Sequence, residues 1–126
     1  MITILVDEAY AFDFLAILEI KYSFSKSKNI LEKIEECKQH LAEQLGIERL
    51  SKILESEEYR KVIEANRETF RLVELAKTDK CRASDVDKSN YYRCLARNDL
   101  QNKFFISKIS EVKFGYEVYN REKNHG

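Results

Sequence analysis

The chain has no proline, only three glycines in 126 residues and only two histidines. Without proline, and with many Glu, Lys, Leu and Ile, the composition points to a mostly helical protein. Three scattered glycines exclude a glycine-rich phosphate loop. With His125 in the polar end of the chain, a histidine acid/base mechanism would rest on His40 alone, and no Ser-His-Asp set can be assembled. The cysteines, Cys37, Cys81 and Cys94, are odd in number and include no close pair. That argues against a disulfide scaffold and for a reducing, cytoplasmic setting. No apolar run reaches the roughly 18 residues of a membrane span. Residues 1–6 lack a basic segment and a cleavage site, so no signal peptide is expected.

Charge of one sign is also missing, because 22 basic residues balance 22 acidic ones. A zero total speaks against nonspecific nucleic-acid binding through Lys80, Arg82, Lys88, Arg93, Arg97 and the Tyr91/Tyr92 pair. The charge is unevenly spread, however. Residues 1–25 hold four acids and one base, residues 26–77 eleven of each, and residues 78–126 seven acids and ten bases. The two ends thus carry −3 and +3, which predicts that the last third docks on the first helix. The length suits one domain over residues 1–126 with a real core, the end from 120 to 126 being frayed.

What the chain does have begins with residues 6–22, its most apolar part and the only one that sets a carboxylate among core-type residues. On a helix with residues at 100° intervals, Glu8 and Glu19 share one edge, about 20° apart. Asp13 falls on nearly the opposite side, beside Ala9, Ala16, Ile17 and Ile20. A helix that is apolar nearly all round is a central one. Asp13 therefore pairs with an Arg or Tyr of another helix, lies on a solvent-facing edge, or meets a ligand, because an unpaired buried carboxylate is costly. Asp7 is the expected N-cap of this helix.

The next helix shows the clearest periodicity. Ile30, Ile34, Cys37, Leu41 and Leu45 recur at spacings of four, three, four and four, and Gly46 follows where a left-handed cap is expected. Glu32, Glu35, Glu36 and Glu43 form its wet side; no second acidic pair matches Glu32 and Glu35, so they read as a solvated face. Cys37-x-x-His40 with Cys81 and Cys94 could in principle supply four zinc ligands, but Cys37 sits on the apolar stripe, where a thiol acts as a small hydrophobe. Neither a metal nor a cofactor is expected.

Residues 47–54 form a short amphipathic turn or helix. Ser56 caps a long helix whose inward stripe is Tyr59, Val62, Ile63, Asn66, Phe70 and Val73. An amide at the centre of that stripe needs hydrogen bonds. A further helix is expected over residues 85–105, with Ser84 and Asp87 as a capping box. Tyr91, Leu95 and Phe105 mark one face of it, shared with Asn98 and Asn102. A second, polar stripe runs Asn90, Arg93, Arg97, Gln101, bordered by Val86, Leu100 and Phe104. Two arginines at i and i+4 repel unless an anion or a carboxylate stands between them. Finally, Val112, Phe114, Tyr116 and Val118 alternate with a strand period, and residues 2–6 are the natural partner.

The expected fold is therefore mainly α: a four- to five-helix bundle, with short N- and C-terminal strands pairing as a small β-ribbon. Fourteen Tyr and Phe, and a strand that needs neighbours, point to a small cytoplasmic protein that associates with other proteins as a homodimer. The alternative is binding, or enzymatic turnover, of an anionic small molecule such as a nucleotide or sugar phosphate. Its cleft would be lined by Asp13, Asn66, Asn90, Arg93 and Arg97, with the arginine pair on a phosphate or carboxylate.

Overall fold

The periodic stretches of the sequence become helices in the computed structural model, which describes residues 1–106. Among these residues there are five: α1 (Ala9–Ser25), α2 (Lys28–Leu45), α3 (Ile47–Leu54), α4 (Glu57–Ala76) and α5 (Ala83–Phe104). They form a bundle in which α4 and α5 pack along each other and α1 lies across both. α2 covers another side of α1, and α3 links α2 to α4. The core gathers around α1. Phe12, Leu15 and Ala16 are fully buried with Ile53, Val62 and Leu100, and the Phe12 ring meets Tyr59 edge-on and Phe105 at a tilt. Docking of α5 on α1 brings the basic part of the chain against the acidic one, as the charge distribution predicts.

The helix ends follow from local chemistry, with three departures from expectation. Ser56 caps α4 as expected, its Oγ accepting from the Tyr59 N–H at 3.1 Å; a cap of this kind stabilises by about 1 kcal/mol. Glu57 and Glu58 add favourable charge to the first turn. Asp7, in contrast, does not occupy the N-cap position of α1. The helix starts one residue later than an Asp7 cap requires, with Glu8 at the cap and the Asp7 carbonyl accepting from the Tyr10 N–H at 3.0 Å. Gly46 ends α2 with φ +87° but ψ 148°, which is not the left-handed helical cap. Its extended ψ sends the chain straight into α3, a conformation essentially restricted to glycine. α5 begins two residues before the expected start, with Arg82 at the N-cap, so Asp85 rather than Asp87 reaches back to the cap and accepts from the Arg82 N–H at 2.9 Å; Arg82 has no acceptor to complete a box.

Two faces also differ from the periodic reading. On α4, Tyr59, Val62 and Asn66 are buried as expected, but Phe70 and Val73 are exposed. Thr69 takes the inward position, its Oγ1 2.6 Å from Ser89 Oγ of α5. On α5, Asn98 and Asn102 are exposed, while Arg97, Leu100 and Gln101 are buried. The polar stripe is thus turned into the bundle, because its partners are carboxylates and backbone groups of α1. Residues 2–6 are not a strand: residues 1–6 carry no regular secondary structure, and Ile2 and Leu5 each keep 90% of their surface exposed. No strand occurs among the described residues, and the alternating run at 112–118, with the end at 120–126, lies outside them.

Candidate functional site

α1, α4 and α5 converge on Asp13. Its position on the small-residue side of α1, beside the buried Ala9 and Ala16, lets side chains of the other two helices reach it. Asn66 of α4 donates from Nδ2 to Asp13 Oδ1 at 2.7 Å and to its own Val62 carbonyl at 2.9 Å, which fixes the amide. Arg93 of α5 donates from Nη2 to Asp13 Oδ2 at 3.1 Å and from Nη1 to Asn90 Oδ1 at 2.9 Å. Arg97, one turn on, places Nη1 3.9 Å from the same carboxylate oxygen. Its guanidinium lies over the Tyr10 ring, 4.1 Å from the centroid, in a cation–π contact.

Asp13, Asn66, Asn90, Arg93 and Arg97, which the sequence scatters over 85 positions, thus form one connected cluster. The repulsion between the two arginines is relieved by the carboxylate between them. Two guanidiniums thus share one carboxylate, where side-chain exposure is only 23% for Arg93, 11% for Arg97 and 10% for Asp13.

A cleft of about 300 Å³ opens beside this cluster between α1, α4 and α5. Asn66 and Arg93 line it, so two of the five predicted residues reach the cleft wall, while Asp13, Asn90 and Arg97 stand behind it. Lys77 and Glu74 supply the other charges of the wall, and Ile17, Phe70 and Val73 its apolar part. Lys77 was not legible as a site residue, although it continues the spacing of Asn66, Phe70 and Val73 by one further turn. Gln101 was also missed as a key residue. It is 2% exposed, accepts from the Ala9 N–H at 2.9 Å and donates to Glu8 Oε1 at 3.1 Å, tying the end of α5 to the start of α1.

A second polar group lies between α1, α2 and α4. Tyr59 donates its hydroxyl to Glu19 Oε2 at 3.0 Å, and Lys38 stands 3.8 Å from the other oxygen. Burial, followed by the Glu19 charge, pushes the Tyr59 phenol far above its ordinary value, and the same two causes raise the Cys37 thiol. Both groups therefore stay protonated and poorly nucleophilic at neutral pH. The three cysteines are free, and Cys37 packs against the core. Among the described residues no group of three or more His, Cys, Asp or Glu is gathered to hold a metal ion. None of the described helices is long and apolar enough to cross a membrane.

No protein-family model, no curated protein and no solved structure matches this chain.

Proposed function

We propose that the protein binds a small anionic molecule, of the size of a nucleotide or a sugar phosphate, in the cleft between α1, α4 and α5. Arg93, set in the cleft wall and bonded to the buried Asp13, carries this reading, because a held guanidinium is a ready partner for an oxyanion. Arg93 is the contact at the cleft wall. Of its five N–H donors, the bonds to Asn90 and Asp13 use two, which leaves capacity for an oxyanion. Lys77 adds a second cation at the rim. Asp13 is committed to Asn66 and Arg93, so it positions Arg93 rather than acting as a general base, and the site suits binding better than turnover. Three free thiols fit a cytoplasmic, reducing setting.

Thermal denaturation with inorganic phosphate, nucleotides and sugar phosphates at millimolar concentration tests the reading. At least one compound is expected to raise the melting temperature; a ligand at a hundred times its Kd stabilises by about 2.7 kcal/mol. Arg93→Gln should abolish that rise, and a panel in which no anion shifts the melt removes the proposal.

The second reading is association of two copies, favoured by the exposed Ile2, Ile4 and Leu5 of the N-terminal arm and by the exposed Phe14. Static light scattering is expected to give the mass of a dimer that Ile4→Ser and Leu5→Ser weaken. A strict monomer across the micromolar range would dispose of it.

A further inference from the structure

Resting on the anion-binding reading of the cleft, we infer that its ligand is a single-chain amphiphile, with an oxyanion head at Arg93 and an apolar chain that runs toward the start of α5. A second groove sets the chain. It has a volume of about 400 Å³ and is lined by Val73 and Ala76 of α4, by Lys77 at its C-cap, and by Ala83 and Val86 of α5. Val73 and Lys77 also line the cleft beside Arg93, so the two hollows adjoin. Apart from Lys77, which Glu74 holds at 2.9 Å, the side chains lining the second groove are all apolar.

Polarity therefore changes along one path. At its first end the wall carries Asn66, Thr69 and Arg93 beside the apolar Ile17 and Phe70; at its far end it carries Val73, Ala76, Ala83 and Val86. Of the three polar groups, Arg93 is the one with an unmet donor. The Asn66 amide nitrogen is bonded to Asp13 and Val62, and the Thr69 hydroxyl donates to the Ala65 carbonyl and meets Ser89 Oγ. The buried Nε–H of Arg93 has no partner among the described residues. The head thus belongs at Arg93. Val86 and Arg93 stand seven residues apart, on one face of α5. From Arg93 to Ala83 is ten residues of the same helix, about 15 Å at a rise of roughly 1.5 Å per residue. A compact sugar phosphate stops short of that end, whereas an alkyl chain spans the distance. It would cover Val73 and Ala83, which are exposed, and Ala76 and Val86, which are half-buried.

Isothermal titration with inorganic phosphate, a hexose phosphate, and butyl, hexyl and octyl phosphate dissolved as monomers tests the inference. Affinity should rise about twofold per methylene, half the gain of full burial, so that octyl phosphate binds at least about tenfold more tightly than butyl phosphate. In Ala83→Glu that dependence should disappear. Inorganic phosphate should still bind within about twofold of the parent, because the new carboxylate stands farther from Arg93 than the screening length of about 8 Å at physiological salt. Ala83 is exposed in the first turn of α5, where a glutamate is favourable, so the variant folds, and its circular dichroism spectrum checks this. Equal affinity along the alkyl series, tightest binding of the hexose phosphate, or an unchanged chain dependence in Ala83→Glu overturns the inference and leaves the anion site standing. Binding to vesicles that contain phosphatidic acid, without binding of dissolved octyl phosphate, also overturns it, since the face would then be a membrane contact. Failure of every probe, the vesicles included, removes both readings.

Discussion

Replacing Asp13 with leucine is expected to destabilise the protein by about 3–5 kcal/mol, the usual consequence of removing one partner from a buried ion pair. The loss comes less from the missing attraction than from what is left behind. Arg93 and Arg97 would face each other on consecutive turns of α5 with no anion between them, and the Asn66 amide would lose its acceptor at 2.7 Å. Neither arginine can shed its proton to escape, because a guanidinium remains charged throughout the accessible pH range. Arg93, the more exposed of the two, can turn partly toward water, which places the expected loss toward the lower end for that residue. Urea denaturation of Asp13→Leu measures the effect. The triple variant Asp13→Leu, Arg93→Met, Arg97→Met supplies the control. With no charge stranded, it should recover most of the loss, since buried ionic groups are often replaced by apolar ones at little cost. A single variant as stable as the parent would show that Asp13 is not the group that holds the arginines.

Gln101→Leu is expected to cost about 1–3 kcal/mol for each buried group it strands. Gln101 performs the task that a local N-cap performs in α4. In α1 the residue at the cap, Glu8, makes no capping bond with its side chain, and Ala9, the first helical residue, is almost completely buried. Water therefore cannot serve the Ala9 N–H, and the acceptor comes from Gln101, 92 residues away in sequence. The other half of the same amide donates to Glu8 at 3.1 Å. Leucine has a similar volume but neither bond. The midpoint of urea unfolding should fall, and amide exchange should accelerate in the first turn of α1 more than in α2. Gln101→Glu separates the two bonds: it keeps an acceptor for Ala9 but sets a second carboxylate beside Glu8, so it should also destabilise. If Gln101→Leu leaves exchange in α1 unchanged, the cross-helix cap is not what secures that helix end.

Much of the fold was determined locally, and the sequence alone was enough to read it. The stripe Ile30, Ile34, Cys37, Leu41 and Leu45 has the helical period without interruption, and Ile34 and Leu41 are the residues of α2 that become buried. Ser56 is a cap because its hydroxyl reaches a backbone N–H three residues on, and the chain needs nothing distant to do so. Asp13 was conspicuous by itself, as a carboxylate in an otherwise apolar helix, and so were the paired arginines of α5 that would repel without a counter-charge.

Only the tertiary structure decided who meets whom. α5 has no continuous apolar stripe, so periodicity could not say which of its faces turns inward. The answer came from the charges of α1, which draw Arg93 and Arg97 into the bundle and carry Gln101 to the start of α1. The same arrangement divided the predicted site. Asn66 and Arg93 reach the cleft, Asp13 and Asn90 hold them through hydrogen bonds, and Lys77 joins from the C-cap of α4. Hydrogen bonds and ion pairs between residues 53, 80 or 92 positions apart leave no period in a sequence, because their energy depends on distances that exist only once the helices have packed.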